Sequence, residues 1–394
     1  MEWKTVKLGE IGEVVGGATP LTKNPVYYDG EISWITPKDL ANYSDRYISR
    51  GERNITEEGY KSCSCKMLPK GSVLFSSRAP IGYIAIAEND LCTNQGFKSI
   101  IPNADKVDNV FLFYLLKQYK DYIAGLGSGT TFMEVSGSVM KNIELPLPPL
   151  DTQRRIAAIL SSLDDKIENN NRINRNLEAQ AQALFKSWFV DFEPWGGIMP
   201  EDWKEGTLES ITDKIASGGT PKSMNKQFYI GNIKWFSTKE LTDSFLIDSE
   251  KHISEDAYKN SAAKMFPAGT VLMAIYAAPT VGRLGILLNE ATFNQAAVGM
   301  IAKTEIGKEY LYLLLKSERT KLNNLASGAA QQNLNVGIVK NYPIIVPHRS
   351  VSMDFQNMVK PLFDQIANNQ KESHRLATLR DTLLPKLMKG EVIV

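Results

Sequence analysis

The chain has 394 residues, which is long for one ordinary domain and suits two domains that each bury a core. With 43% hydrophobic and 23% charged residues, the composition is that of a globular protein and excludes fibrous and disordered classes. The 45 basic and 44 acidic residues give a formal net charge of +1. This balance excludes a basic surface over the whole molecule, so any surface for nucleic acid must be local.

The start of the chain, its apolar runs and its cysteines together predict a cytoplasmic protein. Polar and aromatic residues follow Met1 at once, unlike a secretory signal. The longest apolar run, residues 271–279, is far below the roughly 20 residues needed to cross a membrane. Three cysteines form neither an even disulfide set nor a CxxC metal motif, and we expect reduced thiols at Cys63, Cys65 and Cys92.

Motifs of the first half return in the second half. Residues 16–20 (GGATP) return as residues 217–221 (SGGTP), and residues 34–40 (WITPKDL) return as residues 235–241 (WFSTKEL), both at the same offset. Other matches lie within three positions of that offset, as loop insertions in a duplicated domain would leave them. The chain is therefore predicted to be a twofold repeat of about 200 residues.

Each repeat divides into a globular part and a long helix. Residues 1–150 and 194–350 are dense in turn signals between short β-branched and aromatic runs, which predicts mixed α and β structure. Each part also contains a block rich in leucine and aromatic residues, at 111–117 and 310–316, which predicts a packed helix. We expect two similar mixed α/β domains with these bounds.

Two long helices are predicted at residues 151–193 and 351–394. The first follows a Pro148-Pro149 breaker, and both carry ten positions in heptad register. These positions are Ile156, Leu160, Leu163, Ile167, Asn170, Asn174, Leu177, Ala181, Leu184 and Trp188, and then Phe355, Val359, Leu362, Ile366, Asn369, Ser373, Leu376, Arg380, Leu383 and Leu387. Each stripe is too narrow for a globular core, so the helices are predicted to pair as an antiparallel coiled coil in an α+β fold.

Two features of the helices bear on their purpose. Asn170 and Asn369 occupy matching seam positions, where buried amides would penalise slipped registers; alternatively, both amides point to solvent. A helix over residues 156–188 would be roughly 50 Å long at about 1.5 Å per residue. Beside duplex DNA, such a separator would hold two equivalent domains on the order of 15 base pairs apart.

The sequence resembles the specificity subunits of type I restriction-modification enzymes over almost the whole chain. The family opening, a Trp before a Leu-Gly-Glu segment and a Gly-Gly-Thr-Pro turn, is matched by Trp3, residues 8–10 and 16–20, and again by Trp203, Leu208 and residues 218–221. A Pro-Leu-Pro-Pro-Leu-x-x-Gln-x-x-Ile segment leads into the helix at residues 146–156. The second repeat departs from it, because residues 346–348 (VPH) lack the double proline.

The resemblance implies a non-catalytic DNA-recognition subunit. In this family each target-recognition domain binds one half of a bipartite, asymmetric sequence in double-stranded DNA. The helices hold two methyltransferase subunits and, in the full complex, restriction subunits. The resemblance therefore places S-adenosylmethionine, ATP and magnesium on partner subunits, with no cofactor on this chain.

The residues themselves give little sign of catalysis. The three histidines lack metal-site spacing, and no GxxxxGK[ST] motif for ATP occurs. Residues 24–27 (NPVY) resemble the Asn-Pro-Pro-Tyr loop of amino-methyltransferases and residues 125–129 (GLGSG) a glycine-rich cofactor turn, so a fused DNA adenine methyltransferase is the alternative. Against it, Val26 replaces the second proline and the repeat copy reads NKQF at residues 225–228. A duplicated scaffold without a nucleic-acid role is a third possibility.

Two amide pairs recur at equivalent points of the repeats and are candidate DNA contacts. Asn94 and Gln95, and likewise Asn294 and Gln295, carry side chains suited to adenine edges. Because two domains that bind different sequences share these residues, a structural role such as capping a strand end is the alternative.

Positions that differ inside the shared pattern should carry the discrimination. Ser77 and Arg78 align with the segment that contains Tyr276. Arg78 could bind a guanine or clamp a phosphate, and Tyr276 could contact a thymine methyl group or a phosphate; a surface salt bridge and a core ring are the respective alternatives. Loop residues Ser128, Thr130, Thr131, Gln331 and Gln332 are further candidates, and Lys38 and Lys239 are predicted phosphate contacts.

Overall fold

The computed structural model describes residues 3–41, 43–78, 80–129, 133–276, 280–325 and 333–392. The chain divides into two compact units: a first unit of Met1–Asn169 with Arg375–Val394, and a second unit of Asn170–His374. Both divisions fall inside long helices, so each unit holds one globular domain and one half of each helix. Within the described residues, no helix is both long and apolar enough to cross a membrane.

The first unit is built around a five-stranded sheet. Its strands are β1 (Lys4–Lys7), β2 (Gly12–Gly16), β3 (Tyr28–Ile32), β4 (Trp34–Ile35), β5 (Tyr47–Ile48), β6 (Val73–Phe75), β7 (Ile84–Ala87), β8 (Cys92–Thr93), β9 (Lys98–Pro102) and β10 (Glu144–Leu147). Its helices are α1 (Leu8–Ile11), α2 (Pro37–Leu40), α3 (Glu57–Lys61), α4 (Asn109–Gly125), α5 (Gly137–Asn142) and the first half of α6 (Leu150–Phe189). The sheet order is β2-β9-β6-β7-β5, antiparallel except for the parallel pair β7-β5. Strand β4 pairs in parallel with β8, and β1 pairs antiparallel with β10.

The second unit repeats this arrangement. Its strands are β11 (Lys204–Thr207), β12 (Thr212–Ser217), β13 (Ile233–Phe236), β14 (Ser244–Leu246), β15 (Lys251–Ile253), β16 (Val271–Ala274), β17 (Leu284–Leu287), β18 (Thr292–Phe293), β19 (Ala297–Ala302) and β20 (Pro343–Val346). Its helices are α7 (Glu255–Lys259), α8 (Lys308–Ser317), α9 (Arg319–Leu325), α10 (Val336–Lys340) and the first half of α11 (Arg349–Met388). The sheet order β12-β19-β16-β17-β14 matches that of the first unit strand for strand. This confirms the predicted pair of mixed α/β domains.

Both faces of each sheet are covered, which explains why the middle strands β6 and β16 are apolar throughout. In β6, Val73 and Phe75 pack into the core that contains α4, whereas Leu74 packs into a separate core on the opposite face. In β16, Met273 and Leu272 divide between two cores in the same way. Side chains alternate between the faces of a strand, so a strand buried on both sides needs an uninterrupted apolar run.

The long helices pair antiparallel within each unit. In the first unit, Ile156 and Leu160 of α6 share a core with Leu384 and Leu387 of α11. In the second unit, Asn170 contacts Ser373 while the Phe185 ring lies 5.9 Å from the Phe355 ring, so α6 and α11 run in opposite directions there as well. Every predicted seam position is buried or half-buried. The heptad pattern therefore predicted the buried stripe correctly.

Buried amides interrupt the seam in the second unit. The Asn170 side-chain nitrogen donates to Glu372 Oε2 at 2.8 Å, and the Asn369 side-chain nitrogen donates to Asn174 Oδ1 at 2.8 Å. Both Asn170 and Asn369 are buried, so the interpretation that they point to solvent is wrong. Because a shifted register would leave these amides against apolar side chains, the layer specifies alignment at some cost in stability.

Charged residues form a corresponding layer in the first unit. Arg380, at a predicted seam position, is ion-paired with Asp164, which also accepts a hydrogen bond from the Tyr114 hydroxyl at 2.6 Å. Nearby, the buried Arg46 binds Glu168 of α6 through its Nε at 2.8 Å. These contacts fasten the globular domain and both helix halves of the unit to one another.

Replacing Arg380 with Met should destabilise the first unit by about 3 kcal/mol, because it leaves the buried Asp164 carboxylate without a cation. The free energy of unfolding in urea measures this loss. Lys360→Met on the same helix is the matched control, since Lys360 pairs with Asp364 on the surface and should lose less than about 0.5 kcal/mol. Equal losses for the two variants would show that the Arg380 pair is screened by solvent.

Candidate nucleic-acid interface

The predicted site segments of the first unit are joined by backbone hydrogen bonds. The Asn94 amide donates to the Ile35 carbonyl at 2.9 Å, which places the Asn-Gln pair beside the residues that precede α2. The Ser77 amide donates to the Gly96 carbonyl at 2.7 Å, and the Val135 amide donates to the Ser77 carbonyl at 2.9 Å. Segments that are far apart in sequence therefore form one continuous region.

The second unit uses equivalent bonds. The Asn294 amide donates to the Phe236 carbonyl at 2.9 Å, and the Ile275 amide donates to the Ala296 carbonyl at 2.8 Å. The Leu334 amide then donates to the Ile275 carbonyl at 2.8 Å. Corresponding positions in the two units can therefore be compared one by one.

Side chains hold the turn at residues 16–20 (GGATP), which corresponds to the Gly-Gly-Thr-Pro turn of the second unit, against this region in the first unit. The Trp34 indole donates to the Ala18 carbonyl at 3.1 Å, and the Tyr28 hydroxyl donates to the Pro20 carbonyl at 2.8 Å. The Thr19 hydroxyl donates to Gln95 Oε1. Because these bonds use residues of the recurring motifs, they explain why those motifs recur together.

The same three bonds exist in the second unit. The Trp235 indole donates to the Gly219 carbonyl at 2.9 Å, the Tyr229 hydroxyl donates to the Pro221 carbonyl at 2.8 Å, and Thr220 donates to Gln295 Oε1. Gln95 and Gln295 thus have the shared structural role that was the alternative to DNA contact. Their amide nitrogens lie on exposed residues and have no partner among the described residues.

The asparagines of the two pairs face inward. Asn94 Oδ1 accepts a hydrogen bond from the Gly96 amide at 2.9 Å, which caps the tight turn after β8. Asn294 Oδ1 is buried and has no partner within the part of the chain that the structure describes. These oxygens therefore face the protein interior, so base contact would have to come from the amide nitrogens.

The prediction that Ser77 contacts DNA is wrong for a simple steric reason. Ser77 has no exposed surface, and its hydroxyl donates to the Gly96 carbonyl at 3.2 Å. A side chain enclosed in this way cannot reach a base or a phosphate. Ser77 instead joins the Asn-Gln turn to Val135 through its backbone.

The two predicted phosphate contacts are exposed lysines with glutamate partners. Lys38 Nζ lies 2.6 Å from Glu52 Oε2, and Lys239 is paired with Glu250 in the same way. The hydrogen bond that Lys38 donates to Glu52 raises the pKa of Lys38, so this lysine is protonated at neutral pH. A phosphate would therefore compete with a carboxylate for each lysine.

Arg78 and Tyr276 occupy the corresponding exposed position. Arg78 Nε donates to Glu134 Oε2 at 2.8 Å, so the salt bridge considered as the alternative exists. Tyr276 is 39% exposed and faces Asn333, so the alternative of a core ring is wrong. Sequence analysis missed Glu134 because it lies 56 residues from Arg78, and no local pattern links the two positions.

The remaining candidates lie in loops. Ser128 is exposed and exchanges two backbone hydrogen bonds of 3.0 Å with Glu134. Thr130, Thr131, Gln331 and Gln332 lie outside the described residues.

The Asn-Pro-Val-Tyr segment that suggested a methyltransferase has an ordinary local role. Asn24 Oδ1 accepts from the Val26 amide at 3.2 Å and caps a short 3-10 turn over Pro25–Tyr27. Asn225 caps the corresponding turn over Lys226–Tyr229 in the second unit. The three cysteines are free thiols, and among the described residues no group of three or more His, Cys, Asp or Glu side chains is arranged to hold a metal.

Comparison with known proteins shows which family has this architecture. The family described as the type I restriction modification DNA specificity domain matches residues 1–179 and again residues 200–378. The chain belongs to the family of type I restriction-modification specificity subunits. The family match occurs twice, as the repeat and the two matching sheets require.

Relatives of this family match along the whole chain. The chain is 39% identical to the type I restriction enzyme MjaIX specificity subunit of Methanocaldococcus jannaschii, over 100% of this chain and 94% of the relative. It is 27% identical to the HindI specificity subunit of Haemophilus influenzae, over 99% and 100% of the two chains. The fold is similar to the crystal structure of the S subunit from M. genitalium, with a TM-score of 0.62, 19% identity and coverage of 98% and 96%. These matches give the fused-methyltransferase alternative no support.

Gly17 is required by close backbone contact, and its neighbour provides the control. A Cβ atom at Gly17 would lie 2.1 Å from the Asn94 carbonyl oxygen, whereas one at Gly16 would meet only the Lys98 side chain at 3.9 Å. Gly17→Ala should therefore cost about 2 kcal/mol of unfolding free energy in urea, because the turn must move away. Gly16→Ala should change it by less than about 0.5 kcal/mol. A tolerated Gly17→Ala would show that the turn is not held tightly.

Proposed function

We propose that the chain is the non-catalytic DNA-recognition subunit of a type I restriction-modification complex, and that each unit binds one half of a bipartite, asymmetric sequence. One observation carries this proposal: the two units share a backbone framework but present different side chains at an equivalent exposed position, Arg78 in one and Tyr276 in the other. Two similar domains with different contact residues suit a target whose halves differ. The relatives' names, which call them specificity subunits, support it.

The contacts divide by chemistry. Lys38 and Lys239 supply phosphate contacts, which position the duplex without selecting bases. The exposed amide nitrogens of Gln95 and Gln295 donate to groups on the DNA common to both half-sites. Arg78 and Tyr276 contact groups that differ between the half-sites. Loop residues Ser128, Thr130, Thr131, Gln331 and Gln332 add contacts beside them.

Catalysis belongs to other polypeptides in this proposal. Two methyltransferase subunits bind along α6 and α11 and carry S-adenosylmethionine, and restriction subunits carry ATP and magnesium. The net charge of +1 fits this division, because partner subunits can supply part of the phosphate neutralisation that a DNA-bound complex needs.

Methylation mapping tests the proposal. Cells that express this chain with its methyltransferase partner should carry adenine methylation at one bipartite motif, and cells with either polypeptide alone should not. Exchanging residues 1–150 for the corresponding domain of another family member should then rewrite one half of the motif and leave the other intact. Methylation by this chain alone would establish the fused enzyme instead.

Because α6 and α11 are continuous, we expect their length to set the spacer between the half-sites. Inserting one heptad into both α6 and α11 adds about 10 Å to each at about 1.5 Å per residue. The spacer should lengthen by about 3 base pairs, at about 3.4 Å per base pair, with both half-sites unchanged. The mapped motif measures the change. A control that exchanges one heptad for another of the same length should keep the spacer, and an unmoved spacer in the lengthened chain would contradict the prediction.

A further inference from the structure

One cluster of side chains differs in charge between the two units although the backbone around it is the same. The first unit has Arg78, Glu134 and Lys98 in direct contact, with Glu134 bound by both cations. The corresponding residues of the second unit are Tyr276, Asn333 and Val298, and none of them is charged.

Strand pairing establishes the correspondence. Arg78 lies directly opposite Glu134 in an antiparallel bridge, and Tyr276 lies opposite Asn333 in another. Lys98 begins β9, where it pairs with Gly16 of β2. In the second unit, Val298 of β19 pairs with Ser217, the residue that matches Gly16 in the repeated turn motif. The three positions of one cluster therefore match the three positions of the other.

Glu134 is held firmly in place. Its backbone exchanges two hydrogen bonds with Ser128, and its carboxylate accepts from Arg78 Nε at 2.8 Å and from Lys98 Nζ at 3.1 Å. Burial raises the pKa of Glu134, but the hydrogen bonds from Lys98 and Arg78 lower it further, so the pKa lies below its usual value. The carboxylate is ionised at neutral pH and fixes the direction of the Arg78 guanidinium.

The arginine keeps a free donor edge. The Arg78 side chain is 45% exposed, and its two terminal nitrogens have no partner within the described part of the chain. Lys98, at 15% exposure, is too enclosed to serve in its place. The terminal nitrogens of an arginine match the O6 and N7 acceptors of guanine in the major groove, which is the commonest base-specific contact.

The carboxylate favours a base contact over a phosphate contact. A phosphate contact needs only positive charge, which a lysine such as Lys38 supplies without a fixed orientation. A base contact needs a fixed direction, which the cross-strand ion pair supplies. The second unit lacks the cation and therefore lacks this donor pair.

We propose that Glu134 and Lys98 orient Arg78 to contact a guanine in the half-site of the first unit, and that Tyr276, Asn333 and Val298 make no such guanine contact in the second. This inference rests on the proposed function, and it assigns Arg78 as a specificity residue and Glu134 as a positioning residue.

Binding measurements on the assembled complex test the inference. Once the wild-type motif is mapped, each guanine of the first half-site is replaced in turn and the Kd of each duplex is measured. Arg78→Ala should lower discrimination at one G·C pair by about tenfold or more, with the second half-site unaffected. Arg78→Lys should lose most of the same discrimination because an ammonium lacks the planar donor pair.

The variant Glu134→Gln tests whether Glu134 orients the Arg78 guanidinium or only stabilises the fold of the first unit. It should weaken discrimination at the same base pair while strengthening binding to unrelated DNA, because two cations lose their neutralising partner. Lys38→Ala is the comparison for a phosphate contact: it should weaken binding evenly across sequences and reduce its salt dependence. Unchanged discrimination at the other base pairs of the first half-site shows that the first unit of each variant is folded.

The triple variant Lys98→Val, Arg78→Tyr, Glu134→Asn carries the second unit's residues into the first. It should remove the preference for that guanine and leave the second half-site as it was. Three results would overturn the inference. Arg78→Ala could weaken binding to all DNA sequences equally, both Arg78 variants could keep the wild-type discrimination, or the first half-site could contain no guanine. A wild-type complex without any bipartite motif would instead overturn the proposed function.

Discussion

The close approach of the Gly-Gly-Thr-Pro turn to the end of a buried strand is the constraint on which each unit depends. At Gly17 a Cβ atom would lie 2.1 Å from the Asn94 carbonyl oxygen, and at Gly218 one would lie 2.1 Å from the Phe293 carbonyl oxygen. Only glycine allows this contact, and the Trp, Tyr and Gln hydrogen bonds then lock the turn in place. The residues that recur in both units therefore serve mainly to hold the framework of the exposed surface in place.

Under the proposed function, this separation of framework residues from exposed contact residues would allow two similar units to bind different half-sites. Arg78 and Tyr276 project from equivalent bridges, so either can be exchanged without disturbing the hydrogen bonds beneath it. The bond from Val135 to Ser77 and the bond from Leu334 to Ile275 involve only backbone atoms. The framework at this position does not depend on the side chain, so it tolerates Ser77 in the first unit and Ile275 in the second.

Sequence reasoning succeeded where one local cause determines the structure. The seam of α6 and α11 follows from heptad spacing, and the paired sheets follow from the repeat, so both were predictable. It failed where contacts join distant residues. Glu134 is 56 residues from Arg78, and nothing in the local pattern of Ser77 indicates that its hydroxyl is enclosed. Exposure of a polar residue after a strand depends on what the rest of the chain places over it.

The near-neutral charge has a physical consequence for specificity. Lys38, Lys239 and Arg78 each have a glutamate partner, so a phosphate that binds any of them must displace or outcompete a carboxylate. Such an exchange of ion pairs gains little free energy in water, where surface pairs contribute little and salt screens them. Under the proposed function we therefore expect weak binding to arbitrary DNA, with a larger share of the binding free energy from contacts that only the correct bases supply. A subunit whose task is discrimination benefits from this balance, because partner subunits can add affinity without changing which sequence is preferred.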